Sequence, residues 1–152
     1  MSLLPGKLND IIDQLNMVDD VMERSHFLVS YANKFETIPS EIAQPPYPKQ
    51  NMVPHCESEA YVWVQERNDH TVKLYFAVDN PSGISAKALA VILDQALSGL
   101  PPEQVARVNP DIVEKIFRQN MSMGKGMGLS AMVQAVRVKA ERIAQQRAMN
   151  ED

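Results

Sequence analysis

Ala60-Tyr61-Val62-Trp63-Val64-Gln65-Glu66, followed after Arg67-Asn68-Asp69-His70 by Thr71-Val72-Lys73-Leu74-Tyr75-Phe76-Ala77-Val78, decides the fold. Both runs are rich in aromatic and β-branched residues, which suit a pleated, half-buried surface. Asn68-Asp69-His70 supplies turn chemistry, so the two runs form an antiparallel hairpin. A two-stranded sheet is marginal by itself, and a third short strand around Met52-Val53 would support it.

On either side of the hairpin the apolar period becomes helical. Leu8, Ile11, Ile12 and Leu15 mark an amphipathic helix over about residues 5–16. Asp19 or Asp20 caps a second helix, which turns Val21, Met22, Ser25, Leu28, Val29, Ala32 and Phe35 inward and stops before Pro39. Pro39, Pro45, Pro46, Pro48 and Pro54 then forbid helix and break strand pairing, so residues 38–54 form a semi-extended loop. A loop of this length in a compact domain is a functional candidate.

Downstream, Asp79-Asn80-Pro81-Ser82-Gly83 ends the second strand and offers Ser82 as an N-cap. The run from Ile84 to Leu97 is apolar nearly all round and reads as the central buried helix. Pro101-Pro102-Glu103 opens a short helix, and Asp111 to Gln119 makes another with Ile112, Val113, Ile116 and Phe117 inward. Met121 to Gly128 reads as a glycine-punctuated loop before a closing helix from about Leu129 to Arg147, whose inner face is Met132, Val133, Val136, Ala140 and Ile143. Arg137, Lys139, Arg142 and Arg147 read as that helix's solvated face. The order helices, hairpin, helices predicts an α+β fold: a small antiparallel sheet of two or three strands packed on helices, in a single domain over residues 1–152.

Composition removes several function classes. A net charge of -4 argues against a nucleic-acid binder, which concentrates basic surface against phosphates. No apolar run is long enough to span a bilayer, and Met1 to Lys7 lacks the order of a signal peptide, so the expectation is a cytoplasmic protein with no membrane partner. One cysteine excludes an internal disulfide and any site that needs several thiolates from this chain. His26 and His70 lack a second ligand at metal-binding spacing, so no metal and no cofactor is expected. Gly124-Lys125-Gly126-Met127-Gly128 lacks the spacing of a phosphate-binding loop and follows no strand.

The chemistry therefore centres on Cys56, in Asn51-Met52-Val53-Pro54-His55-Cys56-Glu57-Ser58-Glu59-Ala60-Tyr61. A free cysteine is either a small buried hydrophobe or a soft nucleophile. The polar, turn-like flanks Pro54-His55 and Glu57-Ser58-Glu59 suit the second reading better. Glu57 and Glu59 disfavour the thiolate, whereas a protonated His55 favours it. Neighbours in an extended chain point to opposite faces, so His55 is read as a modulator or a solvent-facing imidazole rather than half of a dyad.

The same stretch resembles the core motif of the SufE family, sulfur acceptors for cysteine desulfurases in iron–sulfur cluster assembly, which has the form N-x-V-x-G-C-x-S-x-V-[WY]. Lys87-Ala88-Leu89 resembles a second family block in the helix after the hairpin, and Lys125-Gly126-Met127-Gly128-Leu129 a third at the start of the last helix. His55 stands at the family's glycine, Glu57 and Glu59 at mostly neutral positions, Asn80-Pro81-Ser82 at an Asp-Ser-Asp stretch, and Lys125 at an arginine. The resemblance marks a divergent member and implies a SufE/NifU-like fold. It also implies that Cys56 takes persulfide sulfur from a PLP-dependent cysteine desulfurase, stimulates that enzyme and passes the sulfur to an iron–sulfur scaffold. Under it Lys125 positions the loop or the partner's acidic groups, the chain is a transfer partner rather than an enzyme, and it is a monomer or weak homodimer. Two readings compete. One is a thiol-dependent enzyme, a peroxidase or hydrolase with Cys56 as nucleophile; the other is a binding module in which Cys56 is incidental.

Overall fold

Six helices surround one hairpin in a computed structural model that describes residues 4–56, 59–81, 83–120 and 123–150, without the side chains of residues 119 and 123–125. In chain order these are α1 (Gly6–Asn16), α2 (Val21–Ala32), β1 (Ala60–Glu66), β2 (Val72–Val78), α3 (Ile84–Leu97), α4 (Pro102–Val105), α5 (Ile112–Phe117) and α6 (Met123–Asn150). The expected α+β architecture is present.

The hairpin pairs Ala60 with Val78 through to Glu66 with Val72. Residues opposite each other share a face, so Ala60, Val62, Val72, Leu74 and Phe76 enter the core while Tyr61, Trp63 and Tyr75 stand half-buried on the other side. Arg67 N–H donates to Thr71 C=O at 2.7 Å, and Asp69 accepts from the Thr71 backbone and hydroxyl at 3.1 and 2.6 Å, which closes the turn. The anticipated third strand shrinks to a bridge between Met52 and Tyr61, beside a 2.8 Å hydrogen bond from Val53 N–H to Ala60 C=O. Pro48 and Pro54 on either side cannot donate to a ladder, which keeps the pairing short.

Both edges of this small sheet are covered, as an exposed ladder would otherwise recruit other chains. Along β2, Gly99 N–H donates to Val72 C=O at 2.8 Å, Val72 N–H to Leu100 C=O at 3.0 Å, and Leu74 N–H to Ser98 Oγ at 3.0 Å. Gly99 has φ 94, a value a side chain would resist, and this lets the chain leave α3 and lie along the strand. Ile38 N–H donates to Phe76 C=O at 2.9 Å on the same edge. Along β1 the cover is the bridge at Met52 and the side chain of Asn51, whose Nδ2 donates to Val62 C=O at 2.9 Å.

The core runs through α3, where Ala88, Leu89, Ala90, Ile92, Leu93 and Leu97 are fully buried, as their all-round apolarity predicts. N-capping of α3 falls on Gly83, with no side-chain bond; Ser82 lies outside the described residues. Helix α2 departs from expectation. Asp20, not Asp19, is its cap, accepting from Met22 N–H at 2.9 Å. Val21, Met22 and Val29 face solvent, Met22 at 67% exposure, because the inward face is Arg24, Leu28 and Ala32.

Arg24 causes that rotation. Its guanidinium is buried, donating from Nη1 to Leu15 C=O and from Nη2 to Lys115 and Ile116 C=O at 2.7 and 2.6 Å. These carbonyls lie in the last turns of α1 and α5, so one cation bonds the negative ends of two helices, sharing Leu15 C=O with Val18 N–H. Burial, reinforced by Arg118, lowers its pKa from a very high starting value, and it stays charged.

Helix α6 begins earlier than expected: the backbone from Met123 is helical, so Gly124, Gly126 and Gly128 sit within a helix rather than a loop. Its basic face is also less solvated than expected. Arg137 Nε donates to Ala106 C=O at 3.1 Å, Arg147 bonds Glu103, and Lys139 reaches Gln50 C=O at 3.4 Å. Among the described residues no helix is long and apolar enough to cross a membrane.

Candidate functional site

The chain arrives at Cys56 well tied. Tyr47 packs on Tyr61 and edge-on to Trp63, with ring centroids 5.0 and 5.2 Å away. Burial, then Asp79 and Tyr61, raise the Tyr47 hydroxyl pKa. A 3-10 turn over Lys49–Asn51 follows, and Asn51 and Val53 are buried against β1. Ile38 is buried at the far end of the same loop. The long proline-rich segment is therefore fastened at Ile38, Tyr47, Asn51 and Val53.

Beyond Val53 the chain turns back into β1, and Cys56 lies on that turn. Cys56 C=O accepts from Glu59 N–H at 3.1 Å, and Glu59 C=O accepts from Asp79 N–H at 3.2 Å. His55 and Glu59 both occupy the left-handed region, with φ 60 and 53. This costs a non-glycine residue roughly 1–2 kcal/mol, so backbone strain brackets the cysteine on both sides. The family's glycine at position 55 would meet this geometry without that cost; His55 adopts it nonetheless. The side chain of His55 is exposed. The described residues contain no cluster of histidine, cysteine and carboxylates that could hold a metal ion.

Cys56 itself is half-buried and packs against the core cluster. The surface beneath it is the second turn of α6. A Cβ built on Gly128 would lie 3.0 Å from Cys56 Cα, 3.0 Å from His55 O and 3.5 Å from Cys56 Cβ. The loop backbone rests on the helix at Gly128, where the helix has no side chain. Further along α6, Lys139 holds Gln50 C=O. Burial, with Arg142 nearby, lowers the Lys139 pKa.

The expected site residues thus meet only in part. Cys56 and His55 adjoin at the turn, and Glu59 is exposed at its end. Glu57 lies outside the described residues, as does the side chain of Lys125, whose backbone belongs to the first turns of α6. Lys87 is remote from the turn: its ammonium sits over the Phe35 ring at 6.0 Å, and Ala88 and Leu89 fill the core. Residue-by-residue reading of the sequence misses the packing of Gly128. The available signal is a glycine inside a helical stretch, which weakens the helix by roughly 1 kcal/mol against alanine and so implies a packing reason.

The family model described as SufE, Fe-S metabolism associated domain, matches residues 9–140. SufE-like protein 1, chloroplastic/mitochondrial, of Arabidopsis thaliana is 27% identical over 138 residues, covering 90% of this chain and 35% of that protein. Cysteine desulfuration protein SufE of Plasmodium vivax is 35% identical over 69 residues, 45% of this chain and 28% of that one. The chain spans about a third of the length of these curated relatives. The solution structure of a hypothetical protein from Thermus thermophilus superposes with a TM-score of 0.77 at 23% identity, covering 93% of this chain and 98% of that one, a likeness of fold.

Proposed function

From the premise that the chain belongs to the SufE family, whose model spans residues 9–140, we propose that it carries sulfur on Cys56 between a PLP-dependent cysteine desulfurase and iron–sulfur cluster assembly. The observation that carries the reading is the placement of the chain's single cysteine, half-buried on a strained turn anchored on both sides. A relay thiol needs that combination: reachable by another protein, yet sheltered while it waits.

In the transfer, the Cys56 thiolate attacks the outer sulfur of a persulfide on the desulfurase cysteine. A new S–S bond forms at Cys56, the old one breaks, and the desulfurase thiolate leaves with the electron pair. The proton remains on the outer sulfur, so Cys56 becomes a persulfide with no net oxidation. This is thiol–disulfide exchange, governed by thiolate fraction and access. The C–S bond of cysteine is broken on the partner, so PLP belongs there.

Docking displaces His55 and Cys56 outward while the anchors at Tyr47, Asn51 and Val53 hold. In that motion His55 modulates the turn's backbone, and Lys125 engages the turn or an acidic group of the partner. Emptying the desulfurase persulfide onto Cys56 frees that enzyme for another turnover, which accounts for stimulation. The test is intact-mass spectrometry after incubation with a cysteine desulfurase and cysteine. Wild type gains one sulfur atom and Cys56→Ser gains none; absence of the gain in wild type overturns the reading. A thiol enzyme, by contrast, needs a base held against the sulfur and a depressed thiol pKa, which the pH dependence of the alkylation rate would reveal.

A further inference from the structure

We infer that Gly128 is a positioning residue for Cys56: its missing side chain forms the seat into which the turn settles, and this seat sets how far the thiol is sheltered at rest. The inference rests on Cys56 as the sulfur-carrying thiol and adds the device that protects the cargo.

Three observations carry it. The first is the distance: both 3.0 Å contacts of a Cβ at Gly128 are to backbone, Cys56 Cα and His55 O. Backbone cannot rotate away as a side-chain end can, so the whole turn must retreat by a few tenths of an ångström. The second is that the helix side of the contact is fixed. Leu129, Met132, Val133 and Val136, which follow Gly128 on α6, are buried in the core. The third is that the turn is the softer partner, with His55 and Glu59 both at positive φ and Pro54 and His55 exposed. A clash at this contact is therefore resolved by lifting the cysteine, not by shifting the helix.

A persulfide is lost by attack of an external thiol on one of its sulfurs, which requires access along the S–S axis. Seating the turn on α6 closes part of the approach around Cys56. A partner that draws His55 and Cys56 away from Gly128 opens it only while bound. Gly128 thus separates the resting state, in which sulfur is retained, from the docked state, in which it is exchanged.

The experiment compares second-order rates of Cys56 alkylation by iodoacetamide in wild type, Gly128→Ala and Gly126→Ala, with melting temperature measured in parallel. Gly126 lines a separate groove between α5 and α6, shared with Met127, Ser130 and Gln134. Gly128→Ala is expected to react several-fold faster than wild type, and Gly126→Ala at the wild-type rate. Equal rates for wild type and folded Gly128→Ala overturn the inference, as does an equal acceleration in both variants. If Gly128→Ala does not fold, wild type still decides: its native Cys56 must react several-fold slower than Cys56 in the urea-unfolded chain, and no protection overturns the seat. Alkylation needs no desulfurase, so the outcome is independent of sulfur transfer. Protection by Gly128 without sulfur uptake removes the carrier reading alone, whereas sulfur uptake without protection removes the seat alone. In the loaded protein, Gly128→Ala loses sulfur to a thiol reductant faster while taking it up at an undiminished rate, a split that general destabilisation does not produce.

Discussion

Two junctions of this molecule solve opposite problems. At Arg24 a buried cation gathers the ends of α1 and α5 and leaves their carbonyls satisfied. At Cys56 a strained turn lies against the bare backbone of α6 at the margin of the core. The first concentrates stability where nothing needs to move. The second places the chain's single thiol on a partly exposed turn at positive φ, outside the helices and strands. A chain of this size can hold both because α1, the hairpin, α3, α5 and α6 all contribute to one shared apolar core.

The contrast predicts where substitutions act. Arg24→Ala takes the guanidinium donors away from the C=O groups of Lys115 and Ile116, leaves Leu15 C=O with only Val18 N–H, and opens a cavity, so urea unfolding should show a loss of about 3 kcal/mol or more. Native-state alkylation of Cys56 should be unchanged. Arg24→Lys recovers part of the loss, since an ammonium keeps the charge but not the planar fork. A loss under about 1 kcal/mol for Arg24→Ala would remove the keystone role.

Asn51→Leu strands Val62 C=O at the edge of β1 and should cost about 2 kcal/mol. It should also speed Cys56 alkylation, because Asn51 anchors the turn; stability loss with an unaltered rate would mean that anchor and turn are uncoupled. His55→Gly should stabilise by about 0.5–1 kcal/mol, the relief of left-handed strain less the added entropy of the unfolded chain. A destabilised His55→Gly would show that the imidazole makes a compensating contact.

The smallest effect lies outside both junctions. Glu103, at the start of α4, has its carboxyl held below the usual carboxylate range by its own backbone N–H and by Arg147. A carboxyl depressed by folding contributes stability above its unfolded pKa and loses it as pH falls through the folded value. Arg147→Ala should therefore lower stability at neutral pH by under about 1 kcal/mol, as for an exposed pair, and flatten the loss below about pH 4.5. Chemical denaturation at pH 7 and pH 3 measures both.

The hairpin, α1, α3 and the inner face of α6 are legible in the sequence because each obeys one dominant period. Helix α2 is not, because burial of Arg24 is decided by the ends of α1 and α5, far along the chain. The start of α6 misleads for a related reason: three glycines read as loop, yet the helix runs through them, and a Cβ at Gly128 would crowd the backbone of His55 and Cys56, residues far off in sequence. The cysteine is legible as chemistry from its rarity and its flanks. The left-handed turn at His55 and Glu59 is not, since neither residue type announces positive φ.

Trp63 is the chain's only tryptophan, and Tyr47, from the segment leading to Cys56, sits edge-on 5.2 Å from it. The protein therefore contains its own optical gauge. Energy absorbed by Tyr47 passes efficiently to an indole this close, and the indole's emission shifts as its surroundings change polarity. If docking moves only His55 and Cys56, that signal stays constant while the thiol becomes reactive. If the whole proline-rich segment detaches, the two change together, and an unlabelled sample tells one motion from the other.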